Sequence, residues 1–192
     1  MRTARRLLAA LALLPVLSAC DGGGPASPAD DASSFVASVS GSVQDTYRGE
    51  GRFHVHAGLW DGIFSITSLA RPNSDAQVFS LFKLGTAAPA PGRYALTGAA
   101  SPDNRQPHFA AQYLRRSGAF AEAFTAVDGE LQITVATAER VEGTFRFRGV
   151  RDCMGPPQDF RCSHAHPPDL SQPMVDVTGS FVAVPDGAGV PR

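Results

Sequence analysis

Apolar and polar residues alternate in short stretches from residue 35 to about residue 184, and these stretches are separated by Gly, Pro, Asn and Asp. Leu131 and Ile133 share one face of an extended segment, as do Phe145 and Phe147 in a later one. Such half-apolar strands are typical of an antiparallel sheet covered on one face. The pattern predicts strands over residues 35–43, 51–57, 62–69, 76–84, 93–97, 109–114, 120–127, 130–137, 141–150 and 175–184.

About nine or ten strands in roughly 150 residues predict an all-β domain. We expect an antiparallel two-sheet sandwich, with a closed or calyx-like β-barrel as the alternative. Asp128 and Gly129 stand between two predicted strands and predict a tight hairpin. Residues 117–125 are interpreted as a strand, with a short helix as the alternative because Ala and Glu favour helix.

The N-terminus has the pattern of an export signal, with basic residues 1–6 followed by the almost wholly apolar residues 7–17. The apolar run is too short to cross ~30 Å of hydrocarbon, which takes about 20 residues. Residues 17–20, Leu-Ser-Ala-Cys, resemble the lipobox of bacterial lipoproteins. That resemblance implies cleavage before Cys20 and a diacylglyceryl group on its thiol. It therefore predicts a lipid bilayer as partner and an extracytoplasmic domain in the bacterial cell envelope, at the inner or the outer membrane.

The predicted organisation is a lipoprotein signal peptide over residues 1–19, the lipidated cysteine and a flexible tether over 20–34, a single β domain over 35–185 and a disordered tail over 186–192. The tether contains no large apolar side chain, and a flexible segment of that length spans roughly 20 Å. We therefore expect the domain to lie near the membrane and to reorient freely.

Composition narrows the range of partners. The chain has 192 residues, 43% hydrophobic and 18% charged, so disorder over its whole length is excluded. Loss of the three arginines of the signal leaves 14 basic against 18 acidic residues, a net charge of −4. This sign opposes binding to phosphate backbones, and we expect no nucleic-acid partner.

Four short motifs occur in order in the second half of the chain, at residues 91–96 (Pro-Gly-Arg-Tyr-Ala-Leu), 129–134 (Gly-Glu-Leu-Gln-Ile-Thr), 141–147 (Val-Glu-Gly-Thr-Phe-Arg-Phe) and 175–181 (Val-Asp-Val-Thr-Gly-Ser-Phe). Over residues 91–184 they resemble a family of uncharacterised bacterial lipoproteins and envelope proteins common in Bacteroidetes. The resemblance implies an all-β lipoprotein domain and supplies no activity or catalytic residues. Gly143 and Gly179 within the motifs predict bulges or close packing.

Two cysteines remain after lipidation, Cys153 and Cys162, within a Pro-rich segment between two predicted strands. Two such close cysteines outside the cytoplasm predict a disulfide, and a metal site or free thiols are the alternatives. Closing a loop of about ten residues contributes about 2–3 kcal/mol in the entropy model.

The histidines include two His-x-His pairs, His54 with His56 and His164 with His166. Positions i and i+2 of a strand project from one face, so three or four imidazoles could hold zinc or copper if the pairs meet in space. The alternative is a solvated strand face and a polar loop. The first pair implies that the other face of its strand turns to the core, with Phe53, Val55 and Ala57.

Two further patterns bear on chemistry. Ser80 and Lys83 form an S-x-x-K motif, as in penicillin-binding proteins, but here it lies in a strand pattern that turns the two side chains to opposite faces. We therefore predict no catalytic residue and no cofactor. Arg146 and Arg148 could bind an anionic ligand. The alternative is that they pair with a cross-strand acid such as Glu142 or Asp176.

The leading hypothesis is a non-enzymatic, membrane-anchored envelope lipoprotein. Its β domain would bind an envelope protein or a small ligand, or would serve a structural interaction. The alternatives are a zinc or copper protein or metal-dependent enzyme built on the histidine pairs, and a lipocalin-like carrier of an apolar ligand.

Overall fold

The computed structural model describes residues 33–57, 62–69, 77–98, 108–117, 120–155, 161–162 and 168–187. All of these belong to one compact unit, Asp31–Arg192. In them the chain forms strands and no helix, which confirms the all-β prediction. The strands are β1 (Ser34–Gly41), β2 (Asp45–His56), β3 (Ile63–Leu69), β4 (Gln77–Leu84), β5 (Gly92–Thr97), β6 (His108–Ser117), β7 (Phe120–Ala136), β8 (Val141–Gly155), β9 (Arg161–Cys162) and β10 (Met174–Pro185).

The ten strands belong to one sheet whose pairings return on themselves. Going round, the neighbours are β10, β2, β3, β4, β6, β7 and β8, and β8 pairs again with β10. Strand β1 lies against both β10 and β2, β5 lies against both β6 and β7, and β9 adds to β8. The pairings are antiparallel except for two short parallel contacts, β10 with β2 and β5 with β6.

The strands form one ring-like sheet, whereas the predicted sandwich has two separate sheets. The physical reason lies in β7 and β8, which are 17 and 15 residues long and pair with three register shifts. An extra residue in one strand of a pair bends that strand and increases its twist, so a long bulged pair can curve around a core.

The interior of the ring is filled by aromatic side chains. Phe35 is fully buried and its ring lies 5.3–6.2 Å, centroid to centroid, from the rings of four other residues: Tyr47, Phe79, Phe145 and Phe181. Phe79 stacks on Tyr113 at 4.6 Å, and Tyr113 stacks on Phe124 at 5.9 Å. Rings in van der Waals contact leave their neighbours little freedom, so this cluster fixes the strands that carry it.

The predicted hairpin at Asp128 and Gly129 is wrong. Strand β7 runs without interruption from residue 120 to residue 136, and one of its register shifts against β8 falls between Ala126 and Asp128. A Cβ on Gly129 would overlap backbone and side-chain atoms of Phe147, so the glycine allows the two strands to approach closely. The interpretation of residues 120–125 as strand is confirmed.

Several predictions concern residues outside the described ranges. These residues are the signal peptide, Cys20, most of the tether, His164, His166 and residues 188–192 of the tail. Asp186, at the predicted start of the tail, donates its backbone N–H to the carbonyl of Phe53 at 3.0 Å. The described part of the chain contains no apolar helix of membrane-spanning length.

Candidate functional site

The outer surface of β7, β8 and β10 carries polar side chains that alternate with core residues. Phe145 and Phe147 are buried whereas their neighbours on β8 are exposed, as the alternation predicted. We call this surface the polar face and define it by its nine residues: Asp128, Glu130, Gln132, Thr144, Arg146, Arg148, Asp176, Thr178 and Ser180.

Strand register arranges the polar face in three cross-strand rows. The central row contains Glu130, Arg146 and Thr178, and the row beside it contains Gln132, Thr144 and Ser180, while Asp128, Arg148 and Asp176 form the third. Directly opposite residues on neighbouring strands have Cβ atoms about 4.5–5.5 Å apart. Residues within one row can therefore contact the same small ligand.

The two arginines of this face differ in their partners. Arg148 donates to the Asp128 carboxylate at 2.6 Å, and Glu142 is paired with Arg140 at a similar distance. Among the described residues, Arg146 has no carboxylate within 4.0 Å. Glu142, one of the two predicted partners, therefore pairs with Arg140 instead. Arg148 pairs with Asp128, which the sequence did not suggest as a partner.

Three residues with hydroxyl groups lie next to Arg146 on β8 and β10. Thr178 lies directly opposite it, Thr144 lies two residues earlier on the same strand, and Ser180 lies opposite Thr144. None of the three side chains hydrogen-bonds to another described residue. Sequence reasoning missed these hydroxyls, although the polar positions between Phe145, Phe147 and the β10 core residues already marked them as outward-facing.

Two shallow depressions meet at Arg146. One has a volume of about 580 Å³ and reaches to Asp128 and Asp176, and the other has about 250 Å³ and reaches to Gln132 and Thr144. Glu130, Arg146 and Thr178 line both. Both depressions are open to solvent, so a ligand bound there would contact the protein on one side only.

Charges around Arg146 limit what this face attracts. Its three acids outnumber its two arginines, and Glu130 lies 4.0 Å from the exposed Arg93 of β5. Arg93 also donates to the side-chain oxygen of Gln132 at 3.0 Å. Arg148 and Arg93 offset the charges of Asp128 and Glu130. Asp176 has no ion pair among the described residues, and its charge disfavours a second negative charge on a ligand bound to Arg146.

A second polar cluster lies at one end of the ring and includes Tyr113. Burial raises the pKa of Tyr113 far above its usual range, and the Asp45 carboxylate, 3.3 Å from its hydroxyl, raises it further. Glu122 accepts from Arg151 at 3.3 Å and lies 3.7 Å from Arg115. Because these charges pair with one another, we interpret the cluster as a polar cap on the aromatic core.

His54 and His56 lie on one face of β2, as predicted, with parallel rings 5.6 Å apart. The Nδ1 of His54 lies 3.3 Å from the Asp186 carboxylate. In the described ranges, no three His, Cys, Asp or Glu side chains are grouped so that they could hold a metal ion. The expectation that Val55 turns to the core is wrong, because it is 51% exposed, and Ala57 is exposed too, whereas Phe53 is buried.

Cys153 and Cys162 are directly opposite in the pairing of β8 and β9. The Pro-rich segment is therefore not wholly a loop, because β8 continues as far as Gly155. Opposed residues of an antiparallel pair have Cα atoms about 4.5–5.5 Å apart, which is within the range of about 4.4–6.8 Å for disulfides. The pairing of the strands is what the predicted disulfide requires.

Ser80 and Lys83 lie within β4, as predicted. Three residues apart on a strand, they are on opposite faces, so a base and a nucleophile are not brought together. Partial burial lowers the pKa of Lys83, whose Nζ donates to the carbonyl of Leu84 at 3.4 Å. The motif carries no catalytic geometry.

Comparison with known proteins returned no relative: no family, no curated protein and no solved structure matches this chain.

Proposed function

We propose that this protein is a lipid-anchored component of the bacterial cell envelope whose β domain binds a partner or ligand through the polar face, without catalysis. The observation that carries the proposal is Arg146, an exposed guanidinium without a carboxylate partner among the described residues, at the meeting point of two depressions. The anchoring part rests on residues 17–20 and on the polar tether that follows them.

Two observations weigh against the alternative functions. The rings of His54 and His56 are stacked 5.6 Å apart, and the Nδ1 of His54 lies 3.3 Å from the Asp186 carboxylate, with no third metal-binding side chain grouped with them in the described ranges. A carrier of an apolar ligand needs an open lumen, whereas Phe35, Phe79 and their aromatic neighbours fill the interior of the ring. Binding at the outer surface is therefore the function that the geometry favours.

We also propose that Cys153 and Cys162 form a disulfide. Their opposed positions in β8 and β9 support it, as does the oxidising environment that the export signal implies. The bond would fasten β9 to the end of β8.

Replacing Cys20 by Ser will abolish incorporation of labelled palmitate in bacteria. The diacylglyceryl group forms a thioether with the sulfur of Cys20, and serine has no sulfur to receive it. Labelling of the immunoprecipitated protein measures the effect.

The matched control is the double variant with Cys20→Ser and Ser27→Cys, which restores a thiol within the tether but outside the lipobox. It must remain unlabelled. Labelling of the Cys20→Ser protein, or an unlabelled wild-type protein, would contradict the anchoring proposal.

A further inference from the structure

We infer that the polar face binds a sugar acid, with its carboxylate on Arg146 and its hydroxyls on Thr144, Thr178 and Ser180. The inference names the ligand class for the proposed binding function and rests on that function. The four side chains form a rectangle on two neighbouring strands, since Arg146 is opposite Thr178 and Thr144 is opposite Ser180.

The dimensions of the rectangle suit a single sugar ring. Opposite side chains are about 5 Å apart, and residues i and i+2 of one strand are about 6.6–6.8 Å apart. A guanidinium at one corner presents two parallel N–H groups to a carboxylate. Hydroxyl groups at the other three corners both donate and accept, which is what a ring with several hydroxyls requires.

A ligand on the polar face must be recognised by side chains. Strand β8 is paired on one side with β7 and on the other with β10, and β10 is paired in turn with β1. The backbone groups of these two strands are therefore used within the sheet, and a peptide cannot add to it as a further strand.

The charge of the ligand follows from the neighbours of Arg146. Glu130 is directly opposite it on β7, and Asp176 lies beside Thr178 on the face. Arg93 offsets the charge of Glu130, whereas Asp176 disfavours a second negative charge on the ligand, so a carboxylate with one charge is a better match than a dianionic phosphate. Because the site is shallow and exposed, we expect weak binding, with dissociation constants in the millimolar range.

Saturation-transfer NMR on the detergent-solubilised full protein tests the inference with D-glucuronate as probe. D-glucose, acetate and inorganic phosphate serve as competitors. We expect saturable transfer to glucuronate, with each competitor at least tenfold weaker. Equal competition by glucose or acetate, tighter binding of phosphate, or no saturable signal would overturn the inference.

Variants locate the site. Arg146→Gln should weaken glucuronate binding at least tenfold, and Thr178→Val, which keeps the charge, should weaken it several-fold. Arg48→Gln is the matched control, because Arg48 is another exposed arginine of the ring exterior, on β2, where it lies opposite Val36. An equal loss in Arg48→Gln and Arg146→Gln would overturn the inference, provided that circular dichroism shows all variants folded.

The test does not depend on the envelope. Glucuronate binding to the purified protein can be measured even if Cys20 carries no lipid. If the protein is lipidated but does not bind glucuronate, the inferred ligand class is wrong and the anchoring proposal is unaffected.

Discussion

Replacing Phe35 by Ala will lower the free energy of unfolding by about 3–5 kcal/mol. Phe35 is fully buried at the centre of the aromatic cluster, with its ring 5.3 Å from that of Phe145 and 5.5 Å from that of Phe79. Truncation removes these contacts and leaves a cavity that neighbouring strands, held by their pairing, cannot fill. Since domains have total stabilities of about 5–15 kcal/mol, the loss is a large fraction of the whole.

Urea unfolding followed by circular dichroism measures the effect. Phe120→Ala is the matched control, because Phe120 is 58% exposed at the start of β7 and its removal should change stability by less than about 1 kcal/mol. Equal losses for the two variants would mean that Phe35 does not organise the core.

The second large effect is expected for Gly143→Ala on β8. A Cβ at this position would overlap the carbonyl oxygen of Gln132 and lie 2.9 Å from the Phe181 ring. The carbonyl is part of β7, which is paired with β8 along most of its length, so it cannot move away without disturbing the ladder. We expect a loss of about 1–3 kcal/mol or more in the free energy of unfolding.

Gly187→Ala provides the comparison, because no atom lies within 4 Å of the Cβ it would introduce. It should be neutral or slightly stabilising, since alanine restricts the unfolded chain more than glycine does. An unchanged urea midpoint for Gly143→Ala would show that the close approach of β7 and β8 is not required for stability.

Much of this fold follows from local alternation. The positions of Phe145 and Phe147 in the core, and of Arg146 and Arg148 outside it, are fixed once the segment is a strand, because side chains alternate between faces. The close packing expected at Gly143 is also confirmed, since a Cβ there would overlap Gln132 and lie 2.9 Å from the ring of Phe181. Alternation depends only on neighbours in sequence, so a sequence reveals it.

Features that depend on distant strands could not be predicted in this way. Asp128 and Gly129 have the residues of a hairpin turn, but the pairing with β8 favours a bulge that lets β7 continue. The exposure of Val55 is equally non-local, since it depends on what covers the end of β2. Sheet closure is set by the same long-range pairings.

The candidate site combines both kinds of information. The sequence indicated that Arg146 and Arg148 share an outer face, but it could not say which of them would be paired. Because β7 continues through its bulge, Asp128 lies opposite Arg148 and forms an ion pair with it. Arg146 has no such pair among the described residues and lies next to the hydroxyl groups of β8 and β10.

The central claim is that the anchored domain uses its polar face for binding, and photo-crosslinking in living bacteria tests it most directly. A photoreactive amino acid is placed at Asp176, on the rim of the larger depression, or at Ala87 in an exposed bend. We predict an adduct from position 176 that disappears with Arg146→Gln, and no such adduct from position 87. The same adduct from both positions, or one that persists with Arg146→Gln, would contradict the account.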